Sequence, residues 1–166
     1  LAKLPIPIFS DKDPGPFITL GLSISRNLKS GQKNTSIYRL QFKGPNRLGI
    51  MAQHLVRQLV EAESTGKGLP VAIAIGTDPV LPLATQWMAP YGTDEMNVAG
   101  ALRGEPVEVV KGETVDLEVP ATAEIIIEGH LYPDETFAEG PFGEFTGYYG
   151  RPSGATPFMR VERVRY

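Results

Sequence analysis

Polar and apolar residues partly alternate along Phe17 to Arg26 (FITLGLSISR), a β-branched-rich segment that predicts a strand. The polar run Asn27 to Lys33 predicts a loop, and Thr35 to Lys43 (TSIYRLQFK) a second strand paired with the first as a hairpin; Gly44-Pro45-Asn46 breaks it. From about Leu48 to Ser64 the period changes. Ile50, Met51, His54, Leu55, Gln58 and Leu59 recur at helical spacing, and Gly66 supplies a stop. Pro70 to Ile75 (PVAIAI) is an apolar run of the kind buried strands use. Asp78-Pro79 pairs a cap with a proline at the first helical position and starts a short helix toward Gln86. Thr93, followed by Asp94 and Glu95, opens another helix that ends near Gly104. The last third predicts strands at Val107 to Val110, Val115 to Val119, Ala123 to Leu131 and Pro157 to Tyr166, with a turn-rich loop from Glu139 to Tyr149. Pro5, Pro7, Pro14 and Pro16 make the opening an extended lead-in. Together these elements predict an α+β fold, mainly antiparallel, with the sheet closed as a barrel and two or three helices on it.

Composition narrows the function classes. At 166 residues the chain holds one domain with a real core. Its formal charge of −3 is the wrong sign for nucleic acid or an anionic membrane, so neither is an expected partner. No apolar stretch approaches the roughly 20 residues of a spanning helix. With no cysteine there is no disulfide, thiolate metal site or cysteine nucleophile, and the expected compartment is cytoplasmic. The chain begins at Leu1 without methionine and stops at Tyr166 inside a predicted strand, so residues 1–166 are expected to be a single domain excised from a longer protein.

The candidate chemistry is acidic. Glu139-Gly140-Pro141-Phe142-Gly143-Glu144 holds two carboxylates five residues apart, and its Gly-Pro-x-Gly interior lets the chain fold back so that both face one cavity. Paired acids in different environments can divide into proton donor and charged partner, although two loop glutamates are more often simply solvated. Arg39 shares a strand face with Ile37 and Gln41, opposite Tyr38 and Leu40; an arginine there either snorkels to solvent or forks onto a carboxylate, and spacing leaves both open. His54 on an amphipathic helix reads as a semi-core residue, and Glu95 as a first-turn acid complementing the helix dipole. No dinucleotide fingerprint, P-loop or nucleophile elbow is present, and Ser36 has no accompanying base.

Taken in order, N-T-S-I-Y-R (Asn34 to Arg39), Q-H (Gln53, His54), D-L-E-V-P-A-T-A-E-I-I-I-E-G (Asp116 to Gly129) and E-G-P-F-G-E-F-T-G-Y (Glu139 to Tyr148) resemble the central domain of the UbiD-type decarboxylases, which use prenylated FMN. The resemblance covers Phe17 to Tyr166. It implies a split β-barrel of the flavin-reductase or FMN-binding type, within longer proteins that add an N-terminal α/β domain and a C-terminal oligomerisation domain. It places Arg39, Glu139 and Glu144 on the family's Glu-Arg-Glu catalytic constellation. It places Asn34, His54 and Glu95 on the ligands of a manganese (or magnesium) ion bridging to the flavin phosphate, and the cofactor beside Asn34, Ile37, Tyr38, Arg39, Gln53, His54 and Glu95. A monovalent cation, usually potassium, is expected at backbone groups of Thr85 to Pro90.

The implied reaction is reversible removal of carbon dioxide from an α,β-unsaturated or aromatic carboxylic acid through a covalent adduct with prenylated FMN. Decarboxylation at an sp² carbon leaves a carbanion that no side chain can stabilise, so a cofactor must act as electron sink. Arg39 is then expected to pair with the substrate carboxylate or the neighbouring acids, Glu139 to hold Arg39, and Glu144 to give the proton from a dry pocket. The expected partners are a small carboxylic acid, a flavin prenyltransferase that supplies the cofactor, and further copies of the protein joined through the absent C-terminal domain. Two other readings stand beside this one: a cofactor-binding module without turnover, and a glycoside hydrolase using Glu139 and Glu144.

Overall fold

The structure, a computed structural model, describes every residue except Ala52 and Tyr91, and every side chain except those of these two and of Gln53, His54 and Ser153. The predicted opening hairpin forms, but each of its arms is bent. The first is β1 (Phe17–Ile18) and β2 (Leu22–Arg26), the second β3 (Lys33–Ile37) and β4 (Arg39–Phe42). Pairing runs Ile18↔Leu40 below the bend and Leu22↔Ile37 above it, so four steps on one arm oppose three on the other. Such a bulge turns the ribbon sharply. Gly21 is required here, because a Cβ would meet Ile73 and Leu40 at 2.7 and 3.1 Å.

The bend decides the architecture. Below it, β4 pairs with β5 (Arg47–Met51); above it, β2 pairs with β6 (Leu69–Ile75). Between them lie β9 (Ile125–Glu139) and β10 (Ser153–Arg165), giving one antiparallel sheet in the order β1-β4-β5-β10-β9-β6-β2-β3. β3 ends this order and β4 stands one strand in from its other end, yet the two are joined through Tyr38 alone. Consecutive Cα atoms are about 3.8 Å apart, so the sheet must curl until its ends meet. The expected barrel is therefore a curled half-barrel closed by a bent ribbon, the split-barrel build.

Curling creates two cores. On the concave side Leu40, Leu48, Ile50, Val71, Ile73, Ile127, Leu131 and Met159 meet, and helix α1 (Gln53–Glu63) adds Leu55, Leu59 and Ala62. On the other side Leu22, Ile24, Ala72, Ala74 and Ile126 pack under α2 (Val80–Ala84) and α3 (Glu95–Arg103), together with Val115, Leu117 and Val119. β6 contributes alternate residues to both cores, which is why PVAIAI reads as continuously apolar. Among the described residues no helix is long and apolar enough to cross a membrane.

Several predicted boundaries move. The expected helix from Leu48 begins only at Gln53, because Arg47–Met51 is a strand between β4 and β10; buried on both faces, its residues carry no period that separates strand from helix. β9 continues eight residues beyond Leu131, through Pro133 and three acidic residues, and ends at Glu139. The cap of α3 is Asp94 rather than Thr93, its Oδ1 accepting from Met96 N–H at 3.0 Å, and Gly104 closes the helix in the left-handed conformation. A small ribbon of β7 (Val109–Lys111) and β8 (Glu118–Pro120) sits outside the main sheet.

The Asp116 to Gly129 motif serves this scaffold. Asp116 pairs with Arg26 and Glu118 with Lys33, tying the ribbon to the hairpin tip. Glu128, wholly buried on β9, accepts from Thr114 N–H at 2.7 Å, Thr114 Oγ1 at 3.0 Å and Val115 N–H at 3.3 Å, and Arg165 Nη2 lies 2.9 Å from its other oxygen. Burial alone would raise this carboxyl, but those donors hold it below the usual carboxylate range.

β9 and β10 approach so closely at Gly129 that a Cβ there would run into the Arg160 carbonyl oxygen. Gly129→Ala is expected to cost about 3 kcal/mol, as overpacking against backbone does. Gly154→Ala meets open space and should stay within about 0.5 kcal/mol of the unsubstituted protein. Urea unfolding midpoints of the two variants check the contrast.

Candidate active site

Arg39 is the first residue after the Tyr38 bend, and Glu139 is the last residue of β9. Arg39 Nε donates to Glu139 Oε1 at 2.7 Å and Nη2 to Oε2 at 2.9 Å, a two-armed fork. Arg39 Nη1 donates to Glu144 Oε1 at 2.7 Å. The Phe142 ring centroid lies 4.7 Å from the guanidinium carbon, and Phe17 packs edge-on against that ring. One guanidinium is thus held along its edge by two carboxylates and on its face by an aromatic ring.

The two acids differ sharply in environment. The Glu139 side chain is 1% exposed and both its oxygens are bonded to Arg39, whereas Glu144 receives one of the three hydrogen bonds and is 40% exposed. Glu139 is the fixed anchor and Glu144 the accessible acid. The expectation of a dry pocket around Glu144 is not met here: its carboxylate is open to water.

Local chain chemistry explains how both acids reach one arginine. After Glu139 the chain reverses at Gly140 (φ +81°), before the cis Gly140–Pro141 bond, and Gly143 pairs with Tyr149. Glu144 N–H donates to the Tyr148 carbonyl at 2.9 Å, and Gly147 N–H, from a residue at φ +85°, returns to the Glu144 carbonyl at 3.0 Å. The result is a tight hairpin with Glu144 on its first arm. A five-residue spacing that would place two side chains on opposite faces of a straight strand here brings both to one point.

A second group lies further along the bent arm. Asn34 is on β3 and Glu95 is the first residue of α3; Glu95 Oε2 accepts from Thr35 N–H at 2.8 Å, which docks α3 beside Asn34. Asn34 Nδ2 is 3.4 Å from Ser36 Oγ. Burial pushes the Glu95 carboxyl above the usual carboxylate range, the Asp94 charge adding to it and the Thr35 amide opposing. Burial also raises the Tyr38 phenol, with Asn34 and Ser36 opposing and Glu95 reinforcing. The buried Tyr38 hydroxyl stands beside Asn34 and Ser36 without reaching hydrogen-bond geometry to either, and its ring belongs to the concave core. Ile37 is half-buried against the other core.

A carboxyl raised by burial and an orphaned hydroxyl beside an amide are surroundings that a divalent cation would stabilise, and carboxylate, amide and imidazole suit manganese or magnesium. The side chains of His54 and Gln53 lie outside the described residues. Among the described residues no three His, Cys, Asp or Glu side chains gather to hold a metal. In the Thr85 to Pro90 stretch the Thr85 hydroxyl donates to the Pro82 carbonyl at 2.8 Å. Cavities of about 600 and 750 Å³ flank α3, and neither is lined by Arg39, Glu139 or Glu144. Sequence reasoning passed over Phe142 as the platform under Arg39; its place between the two glutamates was the only signal.

The fold is a curled antiparallel half-barrel of the split-barrel class, with Arg39 forked onto a buried glutamate and bonded once to an accessible one. Its fold alone is matched at 16% identity and a TM-score of 0.53 by nitrilotriacetate monooxygenase component B of Bacillus cereus, over 92% of this chain and 68% of that one. The chain belongs to the UbiD family: the family model for the 3-octaprenyl-4-hydroxybenzoate carboxy-lyase Rift-related domain matches residues 1–166. A phenolic acid decarboxylase of Bacillus subtilis is 41% identical over 97% of this chain and 35% of its own length. The UbiD-class enzyme HmfF of Pelotomaculum thermopropionicum, solved in complex with FMN, superposes with a TM-score of 0.94 at 47% identity, over 99% of this chain and 37% of that one. The apo 3,4-dihydroxybenzoic acid decarboxylase (AroY) of Klebsiella pneumoniae gives 0.90 at 34% identity, over 98% and 36%. The chain therefore spans about a third of the length of these relatives.

Removing Arg39 would leave Glu139 buried without a partner. Arg39→Ala is expected to destabilise the protein by about 3 kcal/mol, the scale for a broken buried pair. Arg39→Ala combined with Glu139→Gln should lose less, because no charge is then left buried. Denaturant titration of both variants reads this difference.

Proposed function

We propose that this chain is the catalytic-core domain of a longer decarboxylase that removes carbon dioxide reversibly from an α,β-unsaturated or aromatic carboxylic acid with the help of prenylated FMN. The observation that carries the reading is the Arg39 guanidinium joined at once to Glu139 and Glu144, from segments about one hundred residues apart. Solvated loop glutamates have no reason to meet one arginine. The FMN complex of HmfF and the decarboxylase relatives support the same assignment.

When bound, prenylated FMN supplies the electron sink that the side chains lack. Asn34, His54 and Glu95 would hold a manganese or magnesium ion that neutralises the flavin phosphate; Ile37, Tyr38, Gln53 and backbone groups near Thr85 to Pro90, with a monovalent cation, complete the cofactor's surroundings. The chain's own residues do the rest. Glu139 fixes the plane of the Arg39 guanidinium. Arg39 orients the substrate carboxylate and holds Glu144 beside it. As the carbon–carbon bond to the carboxyl breaks and carbon dioxide leaves, Glu144 gives the proton that takes its place on the substrate carbon, and recovers one from water. Reversal of these steps fixes carbon dioxide. Closure of the site against water falls to further domains of the longer chain. Assembly into oligomers through such a domain, cofactor supply by a flavin prenyltransferase and a cytoplasmic setting belong to the same proposal.

The geometry argues against the glycoside hydrolase reading. A nucleophile or base must reach its substrate, and Glu139 has both oxygens bonded inside the protein.

Glu144→Gln in the full-length protein is expected to abolish decarboxylation while flavin absorbance and bound metal persist, since the amide keeps the shape and gives up no proton. Retention of most of the turnover would remove Glu144 from the role. The 166-residue chain alone, given reconstituted cofactor, is expected to show little turnover, because its site stays wet. Activity comparable to the full-length enzyme would overturn that expectation; binding of cofactor without turnover is what the module reading requires of the fragment.

A further inference from the structure

Burial does not hold Glu144 in place: it is 40% exposed and receives a single hydrogen bond from Arg39. Its position depends on the backbone that carries it. That backbone is gripped from outside by the proline-rich lead-in. Asp13 Oδ1 accepts from Gly143 N–H, the residue immediately before Glu144, and Asp13 Oδ2 accepts from Ser10 N–H, both at 3.0 Å. On the other arm of the hairpin, the Tyr149 hydroxyl accepts from Lys12 N–H at 3.0 Å. Phe9 and Phe17 pack edge-on against Phe142, with centroids 6.3 and 4.7 Å away. A Cβ added at Gly143 would stand 2.8 Å from Ser10 Cβ and nearer still to its hydroxyl, so the two segments touch with no slack.

We propose that Asp13 is a positioning residue for Glu144, setting through the Gly143 amide where the Glu144 carboxyl stands relative to Arg39 and the substrate carbon. The proposal rests on the reading of Glu144 as proton donor. A carboxylate suits the task because each of its oxygens accepts, and each faces one N–H; hydrogen bonds to an ionised acceptor are the stronger kind. Asparagine would turn an N–H donor toward one of the two amides. Strand pairing within the hairpin fixes its shape, Phe142 rests on Arg39 and on Phe17 of β1, and the lead-in adds hydrogen bonds to the backbone beside Glu144 itself.

The test uses the full-length enzyme loaded with cofactor. Asp13→Asn is expected to lower kcat about 10- to 100-fold, the scale of an ångström-sized misplacement, with KM nearly unchanged. The alkaline limb of its pH–rate profile, the limb a proton donor governs, should move, because Glu144 no longer stands at the same distance from Arg39. Hydrogen exchange at the Gly143 amide should quicken, while flavin absorbance and melting temperature change little. Turnover within twofold of the unsubstituted enzyme overturns the proposal, as does a loss that tracks cofactor loading with an unmoved pH profile. If Asp13→Asn does not fold, Gly143→Ala decides. It should lose kcat by the same displacement, and adding Ser10→Gly, which removes the atoms it strikes, should restore most of it; failure to restore overturns the proposal. Should Glu144→Gln remain active, the reading beneath it falls; should Glu144→Gln be inactive while Asp13→Asn is unimpaired, only the positioning role falls.

Discussion

The rest of the structure depends on the neutralisation of Glu139 by Arg39. A carboxylate with 1% exposure cannot stay ionised without a partner, and Arg39 supplies two hydrogen bonds in the plane its geometry demands. For that pair to form, the far end of a 15-residue strand must arrive at the start of β4. The curl of the sheet brings it there, and the bent opening ribbon maintains the curl.

The bend at Tyr38 therefore does two things at once. It lets one hairpin belong to both ends of the sheet, and it places Arg39 at the seam. The same seam divides the polar groups along the arm: Asn34, with Glu95 docked beside it through Thr35, lies on one side, and Arg39 with its two glutamates on the other.

Rigid and adjustable parts are cleanly separated. Arg39 sits on a strand flanked by β1 and β5, and Glu139 at the end of β9 paired there with β10, while the near half of β9 is held by β6 and by the buried Glu128. Glu144 is different, standing half-exposed on a short hairpin that meets the barrel through the lead-in, through Phe142 against Arg39 and Phe17, and through its own bond to Arg39.

Sequence by itself determined the local elements and the chemical inventory. Alternation in FITLGLSISR and TSIYRLQFK and the Gly104 stop act within a few residues, so they are legible there; the Asp78-Pro79 start is displaced by one residue, the cap falling on Pro79 and the helix opening at Val80, from whose N–H Asp78 accepts. The Glu-Gly-Pro-Phe-Gly-Glu reversal was legible for the same reason. What tertiary structure alone decided is which elements meet. Residues Arg47 to Met51 became a strand because β4 and β10 flank them, a fact no period in that short apolar run records. β9 ran on through Pro133 because β10 pairs with its far end. Arg39 and Glu139 are one hundred residues apart, and spacing left Arg39 free to snorkel or to fork. Only the curl of the sheet, a sum of many small twists and one bulge, chose the fork, because it brought the buried carboxylate within reach.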